Sequence, residues 1–332
     1  MRPGRTGRLG RAALGLGVSA VALALLARTV DIGAAWATLT TAQAPWIVVL
    51  LALVVLDLFL RAVRWRVLLA PLARVSTRTT SASLLVGYLA NNVLPARLGE
   101  VVRAHDLGGR TRVSRSAILG TIVVERVVDT LVAIAIASLA ILILSIRGIV
   151  ASAVLVGLAV TALLAVGIVA GIAAHRLPGA TRAAAFLDRW PRVRGMLTRL
   201  REGLAVASDI RTLITAVALS IASWSCTVLA FAAAAQSVGV QPTIAQAALL
   251  AAGVNLATAI PAGPGYIGTF ELAAITIATS VGIQRESALA FGLLGHAAIL
   301  LVTSVGGAAV LVAGGRRDRD ARPDAGEPAR DR

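Results

Sequence analysis

The sequence predicts an all-α polytopic membrane protein with about six transmembrane helices and two re-entrant helical hairpins in an inverted-repeat arrangement. Three observations support this prediction: the apolar composition, the placement of the arginines, and two apolar segments interrupted by Pro and Gly. Hydrophobic residues make up 58% of the 332 residues, and the mean hydropathy is +0.85. Soluble domains are only about 45–50% apolar. At about 20 residues per span, the chain has room for roughly six to eight spans.

The apolar runs define a membrane domain over residues 1–315. Its six predicted full spans cover about residues 12–27, 45–60, 117–146, 149–173, 212–236 and 287–313. Residues 31–42 predict a short interfacial helix, and 175–211 a cytoplasmic linker with amphipathic helices. Residues 316–332 mix charged residues with Pro and Gly, which predicts a disordered cytoplasmic tail.

The net charge of +16 comes from arginines that flank the apolar runs. Positive residues near span ends mark cytoplasmic loops, so we interpret the charge as topological and expect no nucleic-acid partner. Both termini are then cytoplasmic. The single cysteine, Cys226, gives neither a disulfide framework nor a metal cluster, and we expect no metal and no cofactor.

Two apolar segments break at similar sequences. The first break contains Asn91, Asn92, Pro95, Gly99 and Glu100, and the second contains Asn255, Pro261, Gly263, Pro264, Gly265, Gly268 and Glu271. Pro and Gly interrupt helices, and non-helical backbone at membrane depth occurs only where it is buried or lines a cavity. Basic residues flank the first segment on both sides, which predicts a hairpin that enters from the cytoplasm.

Counting the crossings then predicts that the second segment is a hairpin entering from the outer side. Paired interrupted segments in opposite orientations are typical of secondary transporters, whose substrate sites lie near the bilayer midplane. The alternative is that one or both interrupted segments cross the membrane completely.

Charged residues near the breaks are the candidate substrate-binding groups, because ionisable residues at membrane depth need partners. Guanidinium groups bind phosphate through paired hydrogen bonds, so Arg97, Arg103 and Arg126 are candidates for an anionic headgroup. Each of them is equally consistent with a positive-inside anchor. Glu100 and Glu271 are candidates for a shared central site, with helix-start caps as the alternative.

Four further residues complete the predicted site. Glu125 and Asp129 lie four residues apart on one helical face, where they form either a compensated ion pair with Arg126 or a support for Arg97 and Arg103. Asn92 and Asn255 precede the breaks. Their amides are expected to satisfy backbone groups freed by the prolines, and we include them among the substrate-binding candidates.

The motif Asn92-x-Leu94-Pro95-Ala96-Arg97-x-Gly99-Glu100-x-x-Arg103, with the later Glu125-Arg126-x-x-Asp129, resembles the lysylphosphatidylglycerol synthase transmembrane-region family. The second break, Pro261-x-Gly263-Pro264-Gly265-x-x-Gly268-x-x-Glu271, is similar to the same family. The resemblance covers roughly residues 10–315 and implies a lipid-handling, flippase-like protein of a bacterial or archaeal inner membrane. Full-length synthases add a soluble catalytic domain, and the notable absence of such a domain here predicts a free-standing, non-enzymatic member.

The expected ligand is therefore a membrane lipid with an anionic headgroup, moved between leaflets. Two alternatives stay open: a non-transporting partner of a lipid-modifying enzyme, and a membrane enzyme that acts on a lipid-linked substrate. Neither the lipid, the direction of transport, the energy source nor a homo-oligomeric state follows from the sequence.

Overall fold

The computed structural model describes residues 5–94, 98–148, 191–258 and 262–320, together with the single residues 152, 156, 159 and 163. Every regular element in these ranges is helical. The helices are α1 (Arg5–Thr29), α2 (Ile32–Thr40), α3 (Ala44–Leu69), α4 (Thr77–Val93), α5 (Gly99–Arg110), α6 (Arg115–Ile143), α7 (Pro191–Leu204), α8 (Ile210–Ser237), α9 (Ile244–Ala257), α10 (Thr269–Ser280) and α11 (Arg285–Asp320). Short 3₁₀ turns occupy Ala205–Ser208 and Pro264–Tyr266.

Among the described residues, four helices are long and apolar enough to cross a membrane: α3, α6, α8 and the Arg285–Gly314 part of α11. Helices α1 and α2 pass the same test together, with a bend of 87° between them, which makes up to five spans. Five of the six predicted spans thus coincide with helices. The predicted span 149–173 lies outside the described residues, apart from four of them. Helix α11 reaches Asp320, so residues 316–320 are helical where a disordered tail was predicted, and 321–332 lie outside the described residues.

Side-chain caps mark where the helices begin. Ser76, Ser114 and Asp209 each accept a hydrogen bond from a backbone amide in the first turn of α4, α6 and α8. These bonds satisfy amides that have no partner within the helix. Helix α9 begins with a capping box, in which Thr243 and Gln246 exchange side-chain and backbone hydrogen bonds. The chain therefore sets its helix boundaries locally at these positions.

Helices α4 and α5 form an antiparallel hairpin, which we call hairpin 1 (residues 77–110). Ser83 donates to Asp106 at 2.6 Å near its base, and the Gly99 amide donates to Asn91 Oδ1 at 2.7 Å near its tip. Gly99 packs so closely that a Cβ there would lie 2.2 Å from the Gly87 carbonyl oxygen. The first interrupted segment is therefore a hairpin and not a full crossing.

Helices α9 and α10 form hairpin 2 (residues 244–280), with the turn Pro264–Tyr266 at its tip. Gln246 Nε2 donates to the Val281 carbonyl at 3.1 Å, which joins the two ends of the hairpin at its base. Gly265 and Gly268 have φ angles of +64° and +87°, a region that favours glycine. The second interrupted segment is thus also a hairpin, as predicted.

The hairpins enter the helix bundle from opposite ends. The base of hairpin 1 lies where α3 ends and α6 begins, since Trp65 and Leu69 of α3 pack with Leu107 of α5 and Ile118 of α6. The base of hairpin 2 lies at the other end, where α8 ends and the Gln43 amide donates to the Ser237 carbonyl at 2.8 Å. We call the first end the Arg-rich end, because it carries the exposed residues Arg66, Arg74, Arg78, Arg110, Arg112, Arg115 and Arg211.

The two tips meet inside the bundle. A Cβ on Gly265, in the tip turn of hairpin 2, would lie 3.7 Å from the carbonyl oxygen of Asn92, at the end of α4. Hairpin 1 follows a span that runs towards the Arg-rich end, and hairpin 2 follows one that runs away from it. The two halves therefore have the inverted relation that the sequence predicted.

Helix α7, in the predicted linker 175–211, packs on the first turns of α6 at the Arg-rich end. A Cβ on Gly203 would lie 2.0 Å from the Ala117 carbonyl oxygen, so the two backbones touch. Residues 175–190 of this linker lie outside the described residues.

Candidate functional site

A cavity of about 190 Å³ lies between the tips of the two hairpins and the long helices around them. Leu53, Leu58, Phe231, Ile299 and Leu300 contribute apolar surface to its wall. Polar and charged side chains also line it: Asp57, Arg61, Tyr88, Asn91, Asn92, Glu100, Arg126, Asn255, Tyr266 and His296. The cavity can thus accommodate a group with a charged end and an apolar end.

A buried charge cluster joins α3 to α6 beside the cavity. Arg64 is fully buried, contacts Glu125 at 3.3 Å, and forms a second ion pair with Asp129 through both terminal nitrogens. Arg64 also donates to Ser220 of α8 at 2.7 Å. Because a buried charge is stable only when it is paired and hydrogen-bonded, this network fixes the relative positions of three spans.

Arg61 extends the cluster to the cavity wall. Its Nε lies 2.9–3.0 Å from the two carboxylate oxygens of Asp57, one helical turn earlier in α3, and its Nη1 lies 3.4 Å from Asp129. Ser223 of α8 donates to Asp57 as well. Arg61 lines the cavity, but these bonds already occupy two of its nitrogens.

Arg103 ties hairpin 1 to the same cluster. Both of its terminal nitrogens donate to the carboxylate of Glu125, and its guanidinium lies 3.6 Å from the centroid of the Trp65 ring, a cation–π contact. Arg103 is only 3% exposed and does not line the cavity. Arg103, a candidate for either a headgroup contact or a positive-inside anchor, thus ties the second helix of hairpin 1 to α6 in the structure.

Arg126 is the accessible guanidinium of the cluster. Its side chain is 39% exposed and lines the cavity, whereas the side chains of Arg64 and Arg103 are 0% and 4% exposed. Its Nη2 lies 2.9 Å from Glu125 and 3.9 Å from Asp129, while its Nε is buried and its Nη1 makes no hydrogen bond to another described residue. The carboxylates therefore hold Arg126 in place through Nη2 and leave Nη1 as the donor available at the cavity wall.

The two predicted glutamates differ in their surroundings. Glu100, in the first turn of α5, lines the cavity, and no hydrogen bond or ion pair joins it to another described residue. Glu271, in the first turn of α10, is 4% exposed; its Oε2 accepts the Gly268 amide at 2.7 Å, and its Oε1 lies 2.6 Å from His296 Nδ1. Glu271 is thus a helix-start cap that reaches the cavity only through His296.

The three asparagines near the breaks have different hydrogen-bond partners. Asn91 accepts the Gly99 amide, as expected for a residue that satisfies freed backbone groups. Asn92 instead donates to Thr303 and Ser304 of α11 at 2.8 and 2.9 Å, and so joins the tip of hairpin 1 to the last span. Asn255 donates to the carbonyl one turn earlier in α9, at 2.9 Å.

The structure therefore divides the predicted substrate-binding residues into three groups. Asn92, Glu100, Arg126 and Asn255 line the cavity; Arg103, Glu125, Asp129 and Glu271 lie behind its wall; Arg97 lies outside the described residues. Pro95 and Pro261 also lie outside them. Arg61, Arg64, Tyr88 and Tyr266 were not predicted as site residues. The available signal was the four-residue spacing of Asp57 and Arg61 inside an apolar run, which indicates an ion pair on one helical face but does not reveal the contacts with α6.

Residues 12–307 match the model of a protein family described as "Lysylphosphatidylglycerol synthase TM region". The chain belongs to this family. Among curated proteins, the chain is similar to "Glycosyltransferase AglD" of Haloferax volcanii, with 26% identity over 342 residues that cover 88% of this chain and 53% of the relative. This family member thus spans about half the length of that relative. No solved structure matches the chain.

Proposed function

We propose that this protein moves a lipid with an anionic headgroup between the two leaflets of a prokaryotic inner membrane. The observation that carries the proposal is Arg126, an accessible guanidinium on the wall of a cavity where two opposed hairpin tips meet. Its Nη2 is held by Glu125 and Asp129, and its Nη1 makes no hydrogen bond to another described residue. A phosphate group, which guanidinium binds through charge-assisted hydrogen bonds, can accept from this nitrogen on the cavity wall.

The shape of the cavity supports the same function. A lipid in transit exposes its headgroup to a polar surface and its chains to an apolar one, and the cavity offers both. Hairpin tips that enter from opposite ends place this surface in the middle of the bundle, where substrate sites of transporters with inverted repeats lie. We propose further that the Arg-rich end faces the cytoplasm, in line with the positive-inside rule, which places the start of α1 and the end of α11 there.

A transport assay tests the proposal. The purified protein is reconstituted in phosphatidylcholine vesicles with traces of fluorescent phosphatidylglycerol, and transfer between leaflets is followed by chemical quenching of the outer leaflet. A hydrogen bond to a charged group contributes about 1.5–3 kcal/mol, so Arg126→Gln should slow transfer by about tenfold or more. Arg112→Gln, which removes an exposed arginine at the Arg-rich end, is the matched control and should leave the rate unchanged.

The chain also contains a native reporter of occupancy. Cys226 is the single cysteine and lines the cavity, so added phosphatidylglycerol should slow its alkylation in detergent in the wild type and not in Arg126→Gln. Equal transfer of phosphatidylglycerol and a fluorescent phosphatidylcholine, or unchanged transfer in Arg126→Gln, would contradict the assignment of an anionic headgroup to Arg126.

A second candidate function rests on the name of the archaeal relative, which describes a glycosyltransferase. This chain would then act on a lipid-linked sugar, or serve as the membrane partner of an enzyme that does. Glu100, a carboxylate on the cavity wall that is joined to no other described residue, is the group that this function would use as an acid or base. Transfer of radiolabelled sugar from a nucleotide sugar to a polyprenyl phosphate by the pure protein, with loss in Glu100→Gln, would favour the second candidate.

A further inference from the structure

We infer that the buried pair of Glu271 and His296 is a proton-binding site that couples proton uptake to the position of the hairpin 2 tip. The inference adds an energy source to the proposed transport and rests on that function only for its coupling part. Both residues are 4% exposed, and His296 Nδ1 lies 2.6 Å from Glu271 Oε1. The imidazole also stacks on Phe270, with the ring centroids 4.2 Å apart.

The pair differs from the other buried carboxylates in the kind of partner it has. Glu125 and Asp129 are compensated by arginines, which stay charged at all physiological pH values. Glu271 has, among the described residues, no ion-pair partner other than His296. Imidazole is a cation only when both of its ring nitrogens carry a proton, so the compensation of this buried carboxylate depends on protons and not on a permanent cation.

Protons can reach the pair from the cavity, because His296 lines it. The titratable and charged groups that face the same cavity are Asp57 and Arg61 of α3, Tyr88 of α4, Glu100 of α5, Arg126 of α6, Cys226 of α8 and Tyr266 of the tip. Helices α2 and α9 carry no titratable residue. Among the described side chains of α1, Arg28 is the only titratable one, and it is exposed at the C-terminal end of that helix. Two carboxylates thus lie on the cavity wall: Asp57 is paired with Arg61, whereas Glu100 is joined to no other described residue and is the one from which a proton can pass towards His296.

Protonation of the pair acts on the tip through one hydrogen bond. Glu271 Oε2 accepts the backbone amide of Gly268 at 2.7 Å, and Gly268 directly follows the tip turn that touches Asn92 of hairpin 1. The first proton taken up by the pair leaves both bonds in place, because an imidazolium donates from Nδ1 to the Glu271 carboxylate. A second proton, on Glu271, turns one carboxylate oxygen into a donor beside the imidazolium, so the carboxyl group can no longer accept from both Gly268 and His296 Nδ1. Loss of the His296 bond frees the start of α10 from α11, and loss of the Gly268 bond uncaps α10 next to the tip.

The first test measures protonation without measuring transport. Infrared difference spectra of the reconstituted protein, recorded between neutral and acidic pH, should show the carbonyl band of a newly protonated carboxylic acid. The band should vanish in Glu271→Gln and shift in His296→Asn. It should persist in the controls Glu202→Gln and His105→Asn, whose side chains are exposed. Glu271→Asp serves as a second variant if Glu271→Gln does not fold.

The second test measures the coupling in the vesicle assay. An imposed pH gradient should change the rate of phosphatidylglycerol transfer by about tenfold per pH unit, the factor by which a protonation equilibrium moves over that range. This dependence should be lost in Glu271→Gln and in His296→Asn. Lipid transfer that is independent of pH, with no carboxylic acid band from Glu271, would overturn the proton site and leave the transport proposal intact. A Glu271 band in a protein that moves no lipid would support the proton site and refute the proposed transport.

Discussion

Removing the charge of Glu125 tests whether the buried cluster holds the bundle together. Glu125 is fully buried and contacts three guanidiniums: Arg103, Arg64 at 3.3 Å and Arg126 at 2.9 Å. With Glu125→Gln, the carboxylates of Asp57 and Asp129 alone remain to compensate the cluster's four arginines. Breaking a buried ion pair by removing one partner costs about 3–5 kcal/mol, because the remaining charge stays buried without compensation. We therefore expect a loss of this size in the free energy of unfolding.

The measurement is equilibrium unfolding in detergent micelles, followed by tryptophan fluorescence, since Trp65 lies against Arg103 in the cluster. Glu202→Gln, on the exposed face of α7, is the matched control and should change the free energy of unfolding by less than about 0.5 kcal/mol. The double variant Glu125→Gln/Arg103→Gln should recover part of the loss, because it also removes one uncompensated cation. Adjacent buried groups couple by about 0.5–3 kcal/mol. A Glu125→Gln protein as stable as the control would refute the structural role of the cluster.

Two further predictions concern the helix ends. Gly99→Ala places a Cβ 2.2 Å from the Gly87 carbonyl oxygen and should destabilise hairpin 1 by at least about 1–3 kcal/mol, the usual cost of overpacking. The control Gly109→Ala lies on the same helix, where a Cβ meets open space, and should be tolerated. Equal melting temperatures of the two variants would show that the hairpin relaxes around the added methyl group. Hydrogen bonds from the Thr212 side chain and amide lower the pKa of Asp209, which caps α8. The stabilising effect of Asp209 should be complete above the ordinary carboxyl pKa and lost as the pH falls through the lowered pKa of Asp209. The difference in melting temperature between wild type and Asp209→Ala should therefore shrink on acidification. A difference that stays constant with pH would contradict this prediction.

The fold was largely predictable because its signals are local. Apolar length defines the spans, and Pro and Gly at the two breaks define the hairpins. The side at which each hairpin enters followed from parity, given where the arginines lie. The sequence could not predict the end of α11, because a charged, Gly-containing segment such as 315–320 carries no strong signal for either a helix or a disordered tail.

The site was predictable only in part, because its contacts are long-range. The spacing of Glu125, Arg126 and Asp129 predicted an ionic cluster, and the cluster exists. Its main cations, Arg61 and Arg64, come from α3, more than sixty residues earlier, and arginines at the end of an apolar run are normally interfacial anchors. The packing of α3, α5 and α6 determines which arginine remains accessible, and no local sequence pattern predicts that packing.

The two hairpins, although similar in sequence, are anchored by different chemistry. Hairpin 1 is tied to α6 through the ion pair of Arg103 and Glu125, and to α11 through Asn92. Hairpin 2 is tied to α11 through the Glu271–His296 bond, which we propose to be a site of proton binding. If the proposed transport cycle needs one tip to stay and the other to move, the Arg103–Glu125 ion pair makes hairpin 1 the fixed tip, held against α6, the helix that carries Arg126. The proposed proton-binding pair makes hairpin 2 the element that moves, so in this proposal the asymmetry between the two breaks gives binding to one half of the inverted repeat and gating to the other.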